Sequence, residues 1–394
     1  MPVKPAGYIL PVIVVAQFCC TSLWFAGNAV LPDLVGAFGL SVNDLGHLTS
    51  AVQFGFISGT LVFAILTIAD RFPPSRVFLV SALAGGLCNL GVVLESQTLS
   101  SLLAYRFATG FFLAGIYPVG MKIAADYYEQ KLGKSLGFLV GALVLGTAFP
   151  HLIRGLGSGM PWRYVIGATS LLAALGGILL WVLVPNGPFR KAGGGTDFSG
   201  FLRIFGNRRF RAAAFGYFGH MWELYAFWAF VPLLLNAYLE QHPGVGTSVP
   251  ITSFAVIGIG GLGCVLGGYI SQKAGTQNTA FAALLLSGLC CLALPLAAGL
   301  GWPLFLLFLL FWGVVVIADS PLFSTLVARR AHPELKGTAL TIVNCVGFSI
   351  TIASIQLMGV LFRIWGGFIP FMFLALGPVL GLLALASDRK TPAS

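Results

Sequence analysis

Long apolar runs separated by short polar stretches follow one another along the whole chain. A helix that crosses a membrane needs about 20 mostly apolar residues, because the hydrocarbon core is about 30 Å thick and a helix rises about 1.5 Å per residue. Twelve runs approach or exceed this length. The pattern therefore predicts an all-α membrane protein with twelve transmembrane spans, whose boundaries in chain order are 8–30, 47–69, 77–94, 99–121, 134–155, 162–184, 212–238, 249–271, 278–300, 303–325, 338–361 and 367–386.

Composition agrees with this pattern. Hydrophobic residues make up 57% of the chain and charged residues only 9%, whereas a soluble domain carries about 25% charged residues. The first apolar run follows a single lysine, Lys4, and is longer than the apolar core of a signal peptide. It is therefore predicted to be the first span and not a cleaved leader, in a protein that lies in the lipid bilayer.

The basic residues predict the orientation. Of the 22 Lys and Arg residues, 18 lie at the two termini or in even-numbered loops, whereas Arg154, Arg163 and Arg363 lie in odd-numbered loops and Arg106 lies inside span 4. Cytoplasmic loops carry an excess of Lys and Arg. Both termini are therefore predicted to be cytoplasmic, in a multi-pass protein of the inner membrane. Topology thus explains the net charge of +10 without any nucleic-acid partner.

The chain is predicted to contain two related halves. The longest polar interruption, 186–211, separates a six-span domain at 1–185 from another at 212–394, and is predicted to be a cytoplasmic linker with a short amphipathic helix from Phe198 to Phe205. Three features recur at offsets of 200 to 203: Pro32 and Pro232, Asp70-Arg71 and Gln272-Lys273, and Pro118 and Pro321. Parallel repeats of this kind place a substrate site between the halves, near the bilayer midplane.

Loop and span motifs resemble those of the major facilitator superfamily over essentially the whole chain. The loop after span 2 reads LTIADRFPPSR and retains Asp70 and Arg71, while its second copy reads GYISQKAG. Span 4 contains RFATGFFLAG, similar to the family's Arg-x-x-x-Gly pattern. The antiporter signature of the fifth helix is only half present, since Ala142 replaces its proline.

The resemblance implies a fold of two pseudo-symmetric six-helix bundles, with a central cavity lined by helices 1, 4, 7 and 10. It also implies a conformational latch at the cytoplasmic face, formed by Asp70, Arg71, Gln272 and Lys273.

Three charged residues lie well inside predicted spans: Arg106 in span 4, Glu223 in span 7 and Asp319 in span 10. An ionised group at the bilayer centre costs about 2.5 to 3.5 kcal/mol, so each is expected to face a cavity or a partner. Their spans are also among those that line the cavity in the family. We therefore expect them to bind substrate or couple its transport.

Span 7 surrounds its carboxylate with aromatic residues. Spacings of three and seven place His220, Glu223 and Phe227 on one face, with Trp222 and Tyr225 beside it. Trp24 of span 1 is a further candidate for this aromatic wall. Two interpretations stay open for the wall: ligand binding, and packing against helices or lipid.

Each buried charge also has a structural alternative. Glu223 is interpreted either as a proton or substrate site or as an interhelical bond, and a buried carboxyl group can act as a proton carrier or a fixed counter-ion. Arg106 has the same two alternatives, coupling or structural bonding. Asp319, beside Pro321, is interpreted as a functional group or a hinge. His220 is interpreted mainly as a histidine packed at its helix end, with substrate binding or coupling as the alternative.

No motif for a cofactor, a metal or a catalytic site is recognised. The stretch GIGGLG, 258–263, matches a dinucleotide-binding pattern but lies inside span 8 without the strand that such a site needs, so close helix packing explains it better. No Walker, HExxH or GxSxG motif is present, and the seven cysteines show neither disulfide nor zinc spacing. An enzyme is therefore not expected.

These observations together predict a secondary transporter of a small organic solute that is driven by protons and works by alternating access. A porter for small anions such as nitrate or cyanate stays open as an alternative, because Arg106 could attract an anion. A membrane receptor or assembly factor without flux is a second alternative. The sequence does not decide between uptake and efflux.

Overall fold

The computed structural model describes residues 6–41, 44–128, 132–157, 159–190, 205–332 and 335–389. Within these ranges every regular element is a helix. The chain forms two compact units, Met1–Gly195 and Thr196–Ser394, whose boundary lies inside the predicted linker. Most of the predicted linker helix, 198–204, lies outside the described residues, as do several of the charges used for the orientation: Lys4, Lys131, Lys191, Arg203 and Lys390.

Spans 1, 2 and 4 of the first unit consist of more than one helix. The helices of this unit, in span order, are Ile9–Thr21, Ala26–Ala29 and Leu31–Phe38 for span 1; Asp44–Ile65 and Ile68–Arg71 for span 2; Pro74–Gly91 for span 3; Leu99–Leu113 and Tyr117–Tyr127 for span 4; Leu132–Leu156 for span 5; and Arg163–Leu183 for span 6.

Spans 8, 10 and 12 of the second unit are likewise interrupted. The helices of this unit are Arg208–Gln241 for span 7; Val249–Gly258 and Gly260–Ala274 for span 8; Thr276–Ala297 for span 9; Trp302–Ala318 and Ser320–Arg330 for span 10; Lys336–Trp365 for span 11; and Ile369–Met372, the 3₁₀ turn Phe373–Ala375 and Leu376–Arg389 for span 12.

Among the described residues, nine helical segments are long and apolar enough to cross a membrane, and they correspond to predicted spans 2, 4, 5, 6 and 8 to 12. The other three spans have visible reasons for falling short. Span 1 is divided, so that its longest helix, Ile9–Thr21, has 13 residues. Span 3 is an 18-residue helix with several polar and glycine positions. Span 7 is long, but His220 and Glu223 lower its hydropathy.

Glycines bring spans 2 and 4 of the first unit into close contact, and the second unit repeats that contact. A Cβ atom added to Gly110 would lie 2.0 Å from the carbonyl oxygen of Val52. At an offset of 203, a Cβ added to Gly313 would lie 2.0 Å from the carbonyl oxygen of Val256. Only glycine allows the two backbones to approach so closely.

A second pair of contacts follows the same rule. A Cβ on Gly59 would lie 2.3 Å from the carbonyl oxygen of Phe111, and a Cβ on Gly263 would lie 2.3 Å from that of Val314. Gly263 closes the GIGGLG stretch, so its described contact is helix packing. Both partners shift by nearly the same number of residues, so the contact between spans 2 and 4 recurs between spans 8 and 10.

One of the two repeated proline pairs keeps the same position in its helices, and the other does not. Pro118 and Pro321 both occupy the second position of the second helix of their span, after the interruption in span 4 or span 10. Pro32 begins a new helix, Leu31–Phe38, whereas Pro232 lies inside an unbroken helix. Span 1 is therefore interrupted where span 7 is continuous.

Candidate functional site

Arg106 forms a buried polar centre in the first unit. Span 1 is interrupted between Thr21 and Ala26, and the Arg106 guanidinium lies against this interruption. It donates to the carbonyl oxygen of Leu23 at 3.2 Å, to that of Trp24, and to Asn89 Oδ1 at 3.0 Å. The side chain is only 2% exposed. Arg106 thus satisfies backbone carbonyls that lie in the interrupted part of span 1.

The partner of Arg106 on span 3 is itself held by span 6. The Asn89 amide donates to the carbonyl oxygen of Ile166 and to the hydroxyls of Thr169 and Ser170, at 3.0 to 3.3 Å. In the described part of the chain, no acidic side chain lies within 4 Å of the guanidinium of Arg106. This centre is therefore a cation surrounded by neutral acceptors.

Trp24, predicted to belong to an aromatic wall, also packs within the first unit. Its indole N–H donates to Gln53 Oε1 at 3.1 Å, and its ring lies 4.9 Å from that of Phe56. Both partners belong to span 2. These contacts join spans 1 and 2 beside the Arg106 centre.

Glu223 forms the corresponding centre of the second unit. Its Oε1 accepts hydrogen bonds from the Ser287 hydroxyl, from Trp312 Nε1 at 2.7 Å and from the Cys291 thiol at 3.3 Å. No donor among the described residues bonds to its other oxygen, Oε2. The side chain is 1% exposed. The donors come from spans 9 and 10, and all three are neutral.

The aromatic residues predicted to form one wall on span 7 contact three different spans. Phe227 packs on Trp312 with ring centroids 4.2 Å apart, so it supports the donor to Glu223. Trp222 donates to the carbonyl oxygen of Phe373 in span 12. The ring of Tyr225 packs 5.3 Å from that of Phe348 in span 11. Of these three aromatic residues, only Phe227 packs directly on a residue that bonds to Glu223.

His220 and Asp319 are adjacent in the second unit. His220 Nδ1 lies 2.8 Å from Asp319 Oδ1, and both side chains are 1% exposed. His220 Nε2 has no hydrogen-bond partner among the described residues. The histidine predicted to be a packing residue therefore contacts the only other acid that lies well inside a span. Glu223 is one turn further along the same face of span 7.

The predicted latch residues of the first unit, Asp70 and Arg71, lie in the short helix at the end of span 2. Asp70 pairs with Lys122 at 2.7 Å, while Arg71 is exposed. Arg190 donates to the carbonyl oxygen of Asp70 at 3.2 Å. These contacts join the loop after span 2 to the end of span 4 and to the chain beyond span 6.

In the second unit, Gln272 and Lys273 are exposed at the end of span 8. The described polar contacts at this end lie elsewhere: Arg330 pairs with Asp388 at 3.0 Å and donates to Gln277 Oε1 at 2.8 Å. Sequence separation explains why the pattern missed both pairings, because each joins helix ends more than 50 residues apart.

Sequence and structure comparisons identify the family. A profile described as Major Facilitator Superfamily matches residues 13–356. The chain belongs to this superfamily. Proteins of this superfamily are transporters and not enzymes, and the chain is a multi-pass membrane protein of this type.

Several superfamily proteins resemble this member. The uncharacterized MFS-type transporter YceJ of Bacillus subtilis is 24% identical over 344 residues, which cover 86% of this chain and 85% of YceJ. The putative uncharacterized transporter YgaY of Escherichia coli is 27% identical over 193 residues, 46% of this chain and about half of YgaY, 47%. The niacin transporter NiaP of Acinetobacter baylyi is 28% identical over 179 residues, covering 38% of this chain and 40% of NiaP.

A solved superfamily structure shows the same fold. The proton:xylose symporter XylE superposes with a TM-score of 0.74 at 15% identity, over 96% of this chain and 94% of that one. The twelve-span superfamily fold predicted from the sequence is thereby confirmed. At this identity the likeness extends to the fold alone.

Three residues of the Glu223 centre were missed by sequence reasoning. Ser287, Cys291 and Trp312 lie in apolar helices, where serine, cysteine and tryptophan are ordinary packing residues. The repeat offers one signal for them. Asn89, a partner of Arg106, lies 202 residues before Cys291, which is the offset that relates Asp70 to Gln272.

Proposed function

We propose that this superfamily member transports a small organic solute by alternating access and that protons drive the transport. The observation that carries the proposal is the environment of Glu223, a carboxyl group 1% exposed with three donors on Oε1 and none from the described residues on Oε2. A buried carboxyl group with neutral partners can exist in either protonation state. A group that alternates between those states can carry a proton.

The donors fit both states of the carboxyl group. An indole N–H can only donate, so Trp312 requires Oε1 to act as an acceptor whether Glu223 is ionised or protonated. A proton on Oε2 leaves all three hydrogen bonds to Oε1 in place. Donors to a carboxylate also stabilise its ionised form without a permanent counter-cation. This arrangement favours a proton carrier over a fixed counter-ion.

Substrate class is supported by the relatives. NiaP is named for niacin, a small aromatic carboxylic acid, and XylE is a proton:xylose symporter. The name of NiaP supports a small organic solute. The likeness to XylE, at 15% identity, extends to the fold and adds no support for its solute or its coupling ion. The small-anion alternative depends on Arg106, and its guanidinium already donates to three acceptors inside the first unit. The geometry therefore gives that alternative less support.

The test compares gradient-driven uptake with exchange in proteoliposomes. Niacin, benzoate and xylose are first screened by thermal shift, and the solute that stabilises the purified protein most is used as the probe. In Glu223→Gln we expect uptake driven by a pH gradient to fall at least about tenfold, while counterflow of the same solute stays within about twofold.

Glu95→Gln is the matched control, because Glu95 is an exposed acid after span 3. It should keep both activities. Full gradient-driven accumulation by Glu223→Gln would contradict proton carriage by Glu223. If wild-type protein shows exchange but no response to a pH gradient, proton coupling itself is wrong.

A further inference from the structure

The interruption of span 10 at Asp319 is a junction of three spans. Pro321 has no amide hydrogen, so the carbonyl oxygen of Ile317, four residues earlier, loses its helical hydrogen bond. The thiol of Cys264 in span 8 lies 3.7 Å from this oxygen. A Cβ atom added to Gly267 would lie 2.6 Å from the carbonyl oxygen of Ala318. Span 8 therefore packs closely on the interrupted turn.

Span 7 contacts the same turn through a side chain. His220 Nδ1 lies 2.8 Å from Asp319 Oδ1, and Asp319 is the residue that separates Trp302–Ala318 from Ser320–Arg330. The backbone oxygen of Asp319 accepts from the amides of Leu322 and Phe323, at 3.0 and 2.9 Å, and so begins the second helix. The contact with His220 thus acts on the residue at which the helix is interrupted.

The charge of the pair depends on one proton. With Asp319 ionised and His220 neutral, the pair carries a net negative charge inside the bundle; with one added proton it is neutral overall. A net buried charge is costly, whereas a paired and neutralised one costs less. Among the described residues His220 is the only basic side chain within 4 Å of Asp319. Within the described residues, His220 is therefore the group placed to compensate the charge of Asp319.

Within the described part of the second unit, no other strong base lies in the interior of a span beside the pair. Spans 7, 8, 9 and 11 pack against Ser320–Arg330. Apart from His220, the titratable side chains in the interiors of those four spans are Tyr217, Glu223, Tyr225, Tyr238, Cys264, Tyr269, Cys290, Cys291 and Cys345. Glu223 is close enough to Asp319 to interact electrostatically, and the two carboxyl groups repel each other when both are ionised. Basic residues lie only at the ends of these spans.

We propose that His220 and Asp319 form a proton-operated latch on span 10. With one proton bound, the pair stays buried and holds the interrupted turn against span 7. When the proton is lost, the uncompensated charge draws water to the pair and weakens the contact between His220 and Asp319. The second helix of span 10, Ser320–Arg330, then separates from the interrupted turn. His220 and Asp319 are thus positioning residues for span 10.

The latch is a second proton site beside Glu223. Its role in transport rests on the proposed function. Its test, however, does not measure transport. Amide hydrogen exchange over Ile317–Phe323 reports opening of the turn in the protein without solute, and repeating the measurement in Glu223→Gln removes the charge of Glu223 from the comparison. A failure of proton coupling and a failure of the latch are therefore distinguishable.

Exchange is measured at about pH 6 and about pH 8 and corrected for the pH dependence of intrinsic amide exchange. In the wild type we expect the turn to open at least about fivefold more at the higher pH. Asp319→Asn cannot carry the negative charge, so its opening should stay at the low-pH level at both values. His220→Gln should open more at both values, because the imidazole is gone.

Asp33→Asn is the matched control, because Asp33 pairs with Arg154 in the first unit at 2.8 Å. It should leave exchange over Ile317–Phe323 unchanged. Pro321→Ala provides a second measurement that does not alter any charge. It restores an amide donor to the oxygen of Ile317, so the turn should be more protected and less dependent on pH.

Equal corrected exchange at both pH values in the wild type would overturn the latch. So would a pH response that survives in Asp319→Asn, because the charge would then lie elsewhere. Should Asp319→Asn fail to fold, the wild-type profile and Pro321→Ala still decide the question.

Discussion

The two polar centres occupy corresponding places in the two units but carry opposite charges. In the first, Arg106 of span 4 donates to the backbone of span 1 and to Asn89 of span 3. In the second, Glu223 of span 7 accepts from spans 9 and 10. The repeat maps spans 1, 3 and 4 onto spans 7, 9 and 10. The charged residue has therefore moved from the fourth helix of the unit to the first.

Sequence offsets support this correspondence. Leu23, whose carbonyl accepts from Arg106, lies 200 residues before Glu223, the offset of Pro32 and Pro232. Trp312 lies one helical turn beyond the position that an offset of 203 assigns to Arg106. An arginine is always charged, whereas a carboxyl group titrates. Under the proposed function, the first centre is therefore a fixed clamp on an interrupted helix and the second a site that can exchange a proton.

The largest predicted effect is on the free energy of unfolding. It distinguishes the structural role of Arg106 from the proton-carrying role proposed for Glu223. Arg106→Leu leaves two backbone carbonyls and the Asn89 amide oxygen without their donor, so we expect the free energy of unfolding to fall by about 2 to 3 kcal/mol. Glu223→Gln keeps an acceptor for Trp312 and should change it by less than about 1 kcal/mol. Thermal unfolding in one detergent measures both.

The control for this comparison is Arg163→Leu, which removes an exposed arginine at the start of span 6. It should leave stability close to that of the wild type. If Arg106→Leu were as stable as this control and lost only transport, Arg106 would be a coupling residue and the contrast between the units would disappear.

The second effect tests whether the units are duplicates in packing. Gly110→Ala and Gly313→Ala each force a Cβ to within 2.0 Å of a backbone oxygen. We expect each to destabilise the protein by about 2 kcal/mol, since overpacking costs about 1 to 3 kcal/mol. Gly167→Ala, where nothing lies within 4 Å of the added Cβ, is the control and should be neutral or slightly stabilising. A large loss at one glycine alone would argue against equivalent contacts.

The smallest effect sharpens the role of the donors to Glu223. Trp312→Phe keeps an aromatic ring against Phe227 but removes the indole N–H. The ionised carboxylate loses a donor, so Glu223 should hold its proton to higher pH. A hydrogen bond to a charged group contributes about 1.5 kcal/mol, and about 1.4 kcal/mol corresponds to one pH unit. The midpoint of the pH dependence of flux should therefore rise by about one unit.

Trp302→Phe, at the start of span 10, serves as the control for this substitution, because Trp302 packs near Tyr238 and away from Glu223. Its midpoint should match that of the wild type. If the midpoint falls or stays constant in Trp312→Phe, the indole N–H of Trp312 does not stabilise the ionised form of Glu223.

Much of the fold was predictable because hydropathy and repeat offsets are local or periodic signals. The charged centres were predictable for a related reason: Arg106, Glu223 and Asp319 are costly inside a span, so their positions alone mark them. Their partners were not. Ser287 and Trp312 carry no charge, and only the folded bundle brings them to Glu223.

Other differences came from backbone geometry. Span 1 is interrupted between Thr21 and Ala26, but no proline lies in that stretch. The sequence pattern therefore predicts a continuous helix there. Arg106, 80 residues later in the chain, supplies the donors for carbonyls at this interruption. Likewise, the aromatic residues of span 7 do not form one wall, because they contact three different spans, 10, 11 and 12.

Infrared difference spectroscopy of the carboxyl groups tests the central claim most directly, since it observes the proton on Glu223 itself. Purified protein in lipid is titrated with pH, and the C=O stretch of protonated carboxyl groups is compared between wild type, Glu223→Gln and Glu95→Gln. We expect a band that titrates in the wild type and in Glu95→Gln and that is missing from Glu223→Gln. An unchanged set of titrating bands in Glu223→Gln would show that Glu223 does not exchange a proton and would contradict the account.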